Sequence, residues 1–237
     1  MQGISTPPRD GSILAKVPLF ASFSDEQRAA VATRLQTRRY PKHAVLVREN
    51  DPGDSLFIVL HGNVAVTRSA GDGKENILSI LKEGDFFGEM GVLDASPRSA
   101  TIKALDDVQV AILARDDFLD VLTGSPKMCV LLVLGLSARL RATNEAIQAA
   151  AFLDVPTRLA SLLLNLGNNF GERTPDGVRL TLRLTNQEMA NMIGTTRESV
   201  NRTLNRFWDD KLIDMHEAHI VIKSPAGISA LAGKLRV

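Results

Sequence analysis

The spacing of apolar and polar residues divides the chain into segments of different character. Between residues 39 and 120, short runs rich in β-branched and aromatic side chains alternate with turns that contain glycine. This pattern predicts the short strands of a small antiparallel barrel or roll. The clearest runs are Ala44–Arg48, Ser55–Leu60 and Asn63–Arg68, and the turns are Asn50–Asp54, His61–Asn63, Gly71–Gly73 and Glu83–Asp85.

Helices are predicted on both sides of this region. Before it, Ser24 provides an N-cap and Gln27 stands at the position that completes a capping box. After it, helical spacing begins at about Asp117, and no further proline interrupts the stretch from Pro126 to Leu153. One face of that stretch repeats every three or four residues and consists of Val133, Leu136, Leu140, Thr143, Ile147 and Ala150.

The length of the second helical stretch indicates a partner. A helix of about 25 residues is about 37 Å long, which exceeds what is needed to cover the end of one β-roll. We therefore expect a parallel homodimer seam along the repeating face. The alternative is an amphipathic helix that packs on its own domain.

The last third of the chain begins at Pro156, which disfavours helix at the preceding residue and predicts a hinge at residues 151–156. Beyond it the pattern predicts three further elements. These are an amphipathic helix over Thr157–Leu166, a polar loop over Asn168–Gly177 and a strand over Arg179–Leu184.

Two short helices joined by Gly194 follow, and they predict a helix-turn-helix. Thr185 caps the first helix, with Glu188 completing a capping box, and Thr196 begins the second. The second helix buries Val200, Leu204 and Phe207 and leaves free Arg197, Glu198, Asn201, Arg202 and Asn205. Arginine can bridge guanine O6 and N7, and glutamate can accept from cytosine N4, so this face suits a DNA major groove.

The chain ends with smaller elements. Two short strands within Leu212–Ile222 predict a β-wing, whose turn lies at Glu217–His219. The segment Ser224–Val237 is compatible with one more short helix.

A candidate anion site interrupts the strand pattern at Asp85–Ala104. Gly88 permits backbone angles that other residues avoid, and amides at the start of the following helix favour an anion. Arg98 offers a planar fork for two phosphate oxygens. Glu89 repels a phosphate, so we expect it to contact another part of the ligand, such as a sugar hydroxyl. The alternative is a surface turn with an incidental Glu–Arg pair.

Composition narrows the class of protein. The 237 residues suit two domains, and 44% hydrophobic with 23% charged residues is typical of a globular protein. One cysteine excludes an iron–sulfur sensor, which needs about four. The apolar run Cys129–Leu134 is too short to span a bilayer, and residues 1–12 look like a mobile tail without a secretory signal. We expect a cytoplasmic protein without a membrane partner.

The net charge of +1 does not by itself indicate a nucleic-acid binder. From Arg179 to Phe207, however, five arginines face two glutamates. A local excess of this size is common on solvated surfaces, so charge alone decides nothing here.

The stretch FGEMGVLDASPRSAT resembles the phosphate-binding cassette of cyclic-nucleotide-binding domains. The resemblance implies that Glu89 binds the ribose 2′-hydroxyl, Arg98 the cyclic phosphate and Ser99 an additional oxygen, with backbone contacts from Gly88 and Ala100. Gly53, Gly62 and Gly84 also match turn glycines of that family. The ligand-binding set implied by the resemblance is Leu78, Phe87, Gly88, Glu89, Met90, Arg98, Ser99, Ala100, Arg139, Thr143 and Asn144.

Base identity depends on Thr143 and Asn144. Thr143 resembles a residue of the family's central helix that contacts the base, whereas Asn144 replaces a serine of the best-known member. A carboxamide both donates and accepts hydrogen bonds, so it suits adenine or guanine. We favour cyclic AMP as the effector and keep cyclic GMP as the alternative. A purely structural role for Thr143 in fixing helix register is also compatible with the pattern.

The stretch TRESVNRTL resembles the recognition helix of the cyclic AMP receptor protein and fumarate–nitrate regulator (CRP/FNR) superfamily of transcription factors. In that pattern Arg197, Glu198 and Arg202 read a half-site containing G·C, while Asn201 and Asn205 depart from the usual residues. The DNA-binding set implied is Thr185, Gln187, Thr196, Arg197, Glu198, Ser199, Asn201 and Arg202.

Together the patterns and resemblances predict an α+β protein. We expect an antiparallel β-roll that binds cyclic nucleotide at residues 1–125, a long dimerisation helix and hinge at 126–153, and a winged helix-turn-helix at 154–237. The expected partners are a second copy, a palindromic double-stranded DNA operator and RNA polymerase. Cyclic nucleotide acts as an allosteric effector, without a metal and without catalysis.

Three rival functions stay open from the sequence. The first is a constitutive DNA binder with a degenerate pocket, and the second is a regulator of the same fold that responds to cyclic di-GMP. The third is an enzyme that hydrolyses a cyclic phosphate, although no His/Asp grouping near Arg98 supplies a metal site or general base. The operator, the regulated genes and the choice between activation and repression are not encoded in recognisable form.

Overall fold

The computed structural model describes residues 4–5, 11–69, 75–216 and 219–233. The chain divides into two compact units, Met1–Arg141 and Ala142–Val237, and the boundary falls inside the long helix. Most of the predicted N-terminal tail, the Gly71–Gly73 turn and residues 217–218 of the predicted wing turn lie outside the described residues, whereas His219 begins a strand rather than ending the turn. Within the described part, Ile4–Ser5 is a strand rather than tail.

The first unit contains nine described strands: β1 Ile4–Ser5, β2 Gln36–Tyr40, β3 Val45–Val47, β4 Ser55–His61, β5 Val64–Ser69, β6 Glu75–Leu81, β7 Phe86–Phe87, β8 Thr101–Ala104 and β9 Val108–Ala114. They form two sheets, ordered β1-β2-β9-β4-β7 and β3-β8-β5-β6. All described pairs are antiparallel, as the alternating runs predicted. Side chains from both sheets form one buried cluster, which includes Phe57, Phe87, Val64 and Ile102.

Helices close this unit. Two short 3₁₀ turns at Ser12–Leu14 and Pro18–Phe20 precede α1, Asp25–Ala32. Ser24 and Gln27 form the predicted reciprocal capping box, because each satisfies a backbone amide of the other. These turns and α1 contribute Leu14, Phe20 and Val31 to the second buried cluster of the unit.

The remaining helices of this unit are α2 Glu89–Asp94, α3 Arg115–Thr123 and α4 Pro126–Phe152. The prediction of a long helix from Pro126 is confirmed. Its first turns bury Met128 and Leu132 against the unit's core. Within the described residues, none of the helices alone has the length and apolarity of a membrane span, and α3 with α4 meets that test only as a pair bent by 113°.

The second unit continues α4 and adds α5 Val155–Phe170, α6 Asn186–Ile193, α7 Arg197–Asp209 and α8 Pro225–Ala232. Its strands are β10 Gly171–Thr174, β11 Gly177–Leu180, β12 Ile213–His216 and β13 His219–Ile222, in the order β10-β11-β13-β12. Leu159, Leu163, Leu204, Phe207 and Ile228 are among its buried residues.

Two sequence predictions in this unit are wrong. Residues 168–177 are not a loop, because α5 runs to Phe170 and β10 then pairs with β11. The strand escapes detection because Glu172 and Arg173 are both exposed, so it shows no apolar alternation. The predicted strand over Arg179–Leu184 is shorter and earlier, at Gly177–Leu180.

Candidate functional site

The candidate ligand site lies where β7 passes into α2. Gly88 caps that helix with φ of 87°, a left-handed conformation that favours glycine. A Cβ added at Gly88 would also collide with Arg98 Nη1 and lie 2.9 Å from the Ser55 carbonyl oxygen. Both the backbone angle and the available space therefore exclude a side chain at position 88.

Arg98 is buried, with 5% of its surface exposed, and its guanidinium is held from two elements. Nη1 donates to the carbonyl oxygens of Ser55 at 2.8 Å and Gly88 at 3.2 Å. Nη2 donates to Ser55 Oγ at 3.1 Å and lies 3.5 Å from Asp54 Oδ1. These contacts fix the plane of the guanidinium, so its orientation is set by the protein.

Burial lowers the pKa of the Arg98 guanidinium from its ordinary value, while the charges of Asp54, Asp51 and Glu89 oppose that shift. Guanidinium stays protonated in proteins, so the site carries a fixed positive charge in a partly desolvated position. The carbon of the guanidinium lies 5.4 Å from the centroid of the Phe57 ring, which stacks on Phe87 at 4.9 Å. Phe87 thus packs against the ring that contacts Arg98.

Glu89, with 4% exposure, is the second buried charge, and its partner comes from the long helix. Arg139 Nη1 donates to Glu89 Oε1 at 2.8 Å, and Arg139 Nη2 donates to the Phe86 carbonyl oxygen. The Arg139 guanidinium also lies 4.7 Å from the centroid of the Phe86 ring. Because both ends of this ion pair lie in the first unit, the structure brings Arg139 to the residues around Gly88, as the predicted set requires.

The other predicted residues of this unit differ in how they lie relative to Arg98 and Glu89. Ser99 Oγ donates to Met90 Sδ at 3.5 Å, and both side chains are exposed. Ala100 is buried beside Arg98, just before β8. Leu78 lies on β6 and is 57% exposed, with no described contact to Arg98 or Glu89.

Thr143 and Asn144 are exposed residues of α4 in the second unit. Thr143 follows Arg139 by one helical turn, so the two occupy the same face of α4. Their predicted contact with a base stays a prediction.

The candidate DNA-binding surface is built by α6 and α7. Thr185 and Glu188 form the predicted capping box at the start of α6, and Gly194 ends α6 with φ of 63°. The Thr196 side chain accepts from Ser199 N at 3.2 Å and so caps α7. Val200, Leu204 and Phe207 are buried, which fixes the rotation of α7 about its axis. The predicted helix-turn-helix is confirmed.

The opposite face of α7 is polar and accessible. Arg197, Glu198 and Arg202 are exposed, and Arg202 Nη2 donates to Ser199 Oγ at 3.2 Å. Asn201 is exposed but accepts from Asn186 of α6 at 3.1 Å. A hydrogen bond from its own backbone amide lowers the pKa of Glu198 from its ordinary value. Glu198 is therefore anionic throughout the neutral range, as acceptance from a base amino group requires.

Gln187 and His219 flank this surface. Gln187 is exposed on the first turn of α6 and donates to Asn191 at 2.7 Å. His219 Nε2 accepts from Arg183 Nε at 3.2 Å, so the wing is tied to the segment before α6.

Sequence reasoning missed the residues that hold Arg98. Ser55 and Phe57 lie near the start of β4 and Asp54 directly precedes it, and Ser55 stands 43 positions before Arg98. No short motif links such distant positions. The available signal was Gly53, which resembles a family turn glycine and stands two residues before the start of β4.

Comparisons with known proteins match both parts of the chain to known families. The sequence model of the cyclic nucleotide-binding domain family matches residues 37–125, and that of the Crp-like helix-turn-helix domain matches residues 157–231. The "CRP-like cAMP-activated global transcriptional regulator" of Mycobacterium tuberculosis is 34% identical over 195 residues, which are 82% of this chain and 87% of the relative. The "cAMP-activated global transcriptional regulator CRP" of Escherichia coli is 34% identical over 186 residues, 78% of this chain and 88% of the relative.

Solved structures with a similar fold include two that cover most of this chain. A CooA mutant from Carboxydothermus hydrogenoformans superposes with a TM-score of 0.76 and 26% identity, covering 91% of this chain and 95% of that one. The c-di-GMP responsive global regulator CLP of Xanthomonas campestris gives a TM-score of 0.74 and 25% identity, covering 84% of this chain and 99% of that one. The chain belongs to the CRP/FNR superfamily of transcription factors, with a cyclic nucleotide-binding domain and a Crp-like helix-turn-helix.

Proposed function

We propose that this protein is a homodimeric transcription regulator that binds cyclic AMP in its first unit and a palindromic DNA operator through α7. The proposal of nucleotide binding rests on two buried charges beside Gly88. Arg98 is 5% exposed and Glu89 is 4% exposed. Buried charges of opposite sign suit a ligand with an anionic phosphate and hydroxyl donors.

Each charge has a distinct task in this proposal. Nη1 of Arg98 is engaged by two carbonyl oxygens, so the edge formed by Nε and Nη2 provides the parallel N–H bonds to the cyclic phosphate. Glu89 accepts from the ribose 2′-hydroxyl while Arg139 neutralises its charge. Ser99 adds a hydroxyl contact to the phosphate, and the amides after Gly88 add the positive end of α2.

The homodimer is supported by the apolar surface of α4. Val130, Val133, Leu134, Leu140 and Ile147 are each more than half exposed. A surface of this kind on one helix face suits a second copy of the same helix. Thr143 and Asn144 continue that helix and are proposed to contact the base.

The DNA half rests on the exposed polar face of α7. We assign base contacts to Arg197, Glu198 and Arg202, and phosphate contacts to Thr185, Gln187 and Thr196. In a two-fold dimer the two copies of α7 must lie about 34 Å apart, one turn of DNA, so the operator is palindromic. Transcriptional control implies RNA polymerase as a further partner and the cytoplasm as the location.

Coupling between the two halves uses the break between α4 and α5. The long helix ends at Phe152, and Asp154 caps α5 by accepting from Thr157 N at 2.9 Å. This short connection is the proposed hinge through which nucleotide binding reorients the recognition helices. Nucleotide and operator must then tighten each other's binding by the same factor.

The test is titration calorimetry of the full-length protein with cyclic AMP, cyclic GMP and cyclic di-GMP, followed by operator shifts at one fixed salt concentration. Cyclic di-GMP is included because the similar Xanthomonas regulator is described as responsive to it. Tight binding of cyclic AMP that alone promotes the shift is the expected result. Tighter binding of another nucleotide would mean that this nucleotide, and not cyclic AMP, is the effector. Operator affinity that is the same with and without each nucleotide would contradict the proposed coupling.

The same incubation tests catalysis. Chromatography of the nucleotide after prolonged contact with the protein is expected to recover it unchanged. Formation of a linear nucleotide would contradict a purely regulatory role.

A further inference from the structure

The phosphate-binding edge of Arg98 has an anionic neighbour from the protein itself. Asp54 Oδ1 lies 3.5 Å from Arg98 Nη2. Ser55 bridges the two groups, since its hydroxyl donates to Asp54 Oδ1 at 3.0 Å and accepts from Nη2 at 3.1 Å. The atom that is proposed to hold a nucleotide phosphate is therefore already in contact with a carboxylate and its hydroxyl relay.

This arrangement is built into the backbone. The Asp54 carbonyl accepts from Arg115 N at 2.9 Å, and the Asp51 carbonyl accepts from Arg98 N at 2.9 Å. Gly53 packs so tightly that an added Cβ would lie 2.8 Å from Gly91 Cα. The loop before β4 is thus fastened to the residues around Arg98 on both sides, while the Asp54 side chain is largely exposed to solvent.

Two other acids act on Arg98, and both have their own partners. The Asp51 carboxylate accepts from Arg48 N at 3.1 Å, and the Glu89 carboxylate is paired with Arg139 at 2.8 Å. The Asp54 side chain is 80% exposed. Water can therefore hydrate the Asp54 carboxylate when it leaves Arg98. Displacing Asp51 or Glu89 would instead break the hydrogen bond from Arg48 N or the ion pair with Arg139.

We propose that Asp54, with Ser55 as its relay, is an anionic latch that competes with the nucleotide phosphate for Arg98 Nη2 and sets the affinity of the site. The inference rests on the proposed function and adds a positioning residue to it. The latch orients the guanidinium before the ligand arrives and makes the phosphate displace a weak, water-exposed competitor. The Asp54 carboxylate therefore makes the affinity of the site for nucleotide lower than it would be without this charge.

The test compares wild-type protein with Asp54→Asn by calorimetric titration with cyclic AMP at low salt. A unit charge about 5 Å from the phosphate in water-like surroundings changes affinity by about fourfold, so the variant is expected to bind about fourfold tighter. At about 1 M salt the Debye length is about 3 Å, and the two affinities are expected to converge. Loss of a purely structural contact would not produce this salt dependence.

Two variants serve as controls. Asp54→Glu keeps the charge and is expected to restore an affinity close to that of the wild type. Glu83→Gln makes the same change of charge at an exposed acid that pairs with Lys16 at 3.2 Å, and it is expected to leave nucleotide affinity unchanged. Thermal unfolding of each variant confirms that the comparison is made between folded proteins.

The outcomes separate the latch from the function on which it rests. Wild-type protein that binds cyclic AMP, with an Asp54→Asn variant that binds no tighter or more weakly, overturns the latch alone. A gain that persists undiminished at high salt also overturns it. Failure of both proteins to bind cyclic AMP, cyclic GMP or cyclic di-GMP overturns the latch together with the proposed function.

Discussion

The cassette around Gly88 and the recognition helix α7 place charged side chains in opposite environments. Arg98 and Glu89 are buried and held by partners from β4 and α4, whereas Arg197, Glu198 and Arg202 are exposed on one helix. Burying a charge is costly unless partners are supplied, so the first site depends on the whole fold of its unit. The second site needs only a capped helix with one buried face. Changes in the first should therefore disturb binding and stability together, and changes in the second only DNA recognition.

The largest expected effect follows from removing the Arg98 charge. Arg98→Leu should weaken cyclic AMP binding by at least about 30-fold, since truncating one partner of a buried charge pair costs about 2–5 kcal/mol. The free energy of unfolding should fall by about 1–3 kcal/mol, because the Ser55 and Gly88 carbonyls lose a donor. Calorimetry and chemical denaturation measure the two quantities. Nucleotide binding of normal strength in this variant would remove the phosphate assignment.

The next effect concerns backbone rather than charge. Gly88→Ala forces a left-handed alanine against Arg98 and should lower unfolding free energy by about 1–3 kcal/mol and nucleotide affinity by about tenfold. Gly233→Ala is the matched control, because a Cβ there meets nothing within 4 Å. Equal behaviour of the two variants would show that the Gly88 conformation has no special role.

A smaller and more selective effect is expected on α7. Glu198→Ala should relax preference at one base pair of each half-site by about 1–3 kcal/mol and leave nucleotide affinity and stability nearly unchanged. Competition binding to operators with single substitutions measures this. Arg206→Ala, at an exposed position near the end of the same helix, should not alter preference at that base pair. A uniform loss of affinity on all DNA in Glu198→Ala would mean that Glu198 reads no base.

The smallest expected effect is the response of that base preference to acid. The pKa of Glu198 is lowered by the bond from its own amide, so the carboxylate stays charged below the ordinary glutamate value of about 4.3. Any contribution of the Glu198 carboxylate to folding stability is present above its pKa in the unfolded state. That contribution is lost only as the pH falls through the lowered pKa of the folded state. Preference at its base pair should therefore be the same at about pH 7 and about pH 5. Its disappearance at about pH 5 would contradict this assignment.

Local signals account for the parts of the fold that could be predicted. The capping boxes of Ser24 with Gln27 and of Thr185 with Glu188 each involve residues three positions apart, so the sequence shows them directly. Strand β10 was missed because Glu172 pairs with Arg179 across the hairpin, and a strand exposed on both faces has no apolar period.

The same distinction applies to the ligand site. Gly88, Glu89 and Arg98 stand within eleven residues and match one motif, so they could be named from the sequence. Asp54 and Ser55 reach Arg98 only because β7 pairs with β4, where Phe57 faces Phe87. A contact set by strand register between distant segments leaves no trace in a local pattern.

Nucleotide binding at the cassette and DNA binding at α7 are proposed to be coupled. The most direct measurement is the affinity of the wild-type protein for a palindromic operator, at one fixed salt concentration, with and without saturating cyclic AMP, repeated with Arg98→Leu. We expect tighter operator binding with nucleotide in the wild type and no nucleotide effect in the variant. Equal operator affinity in the wild type with and without the nucleotide that it binds would contradict the coupling.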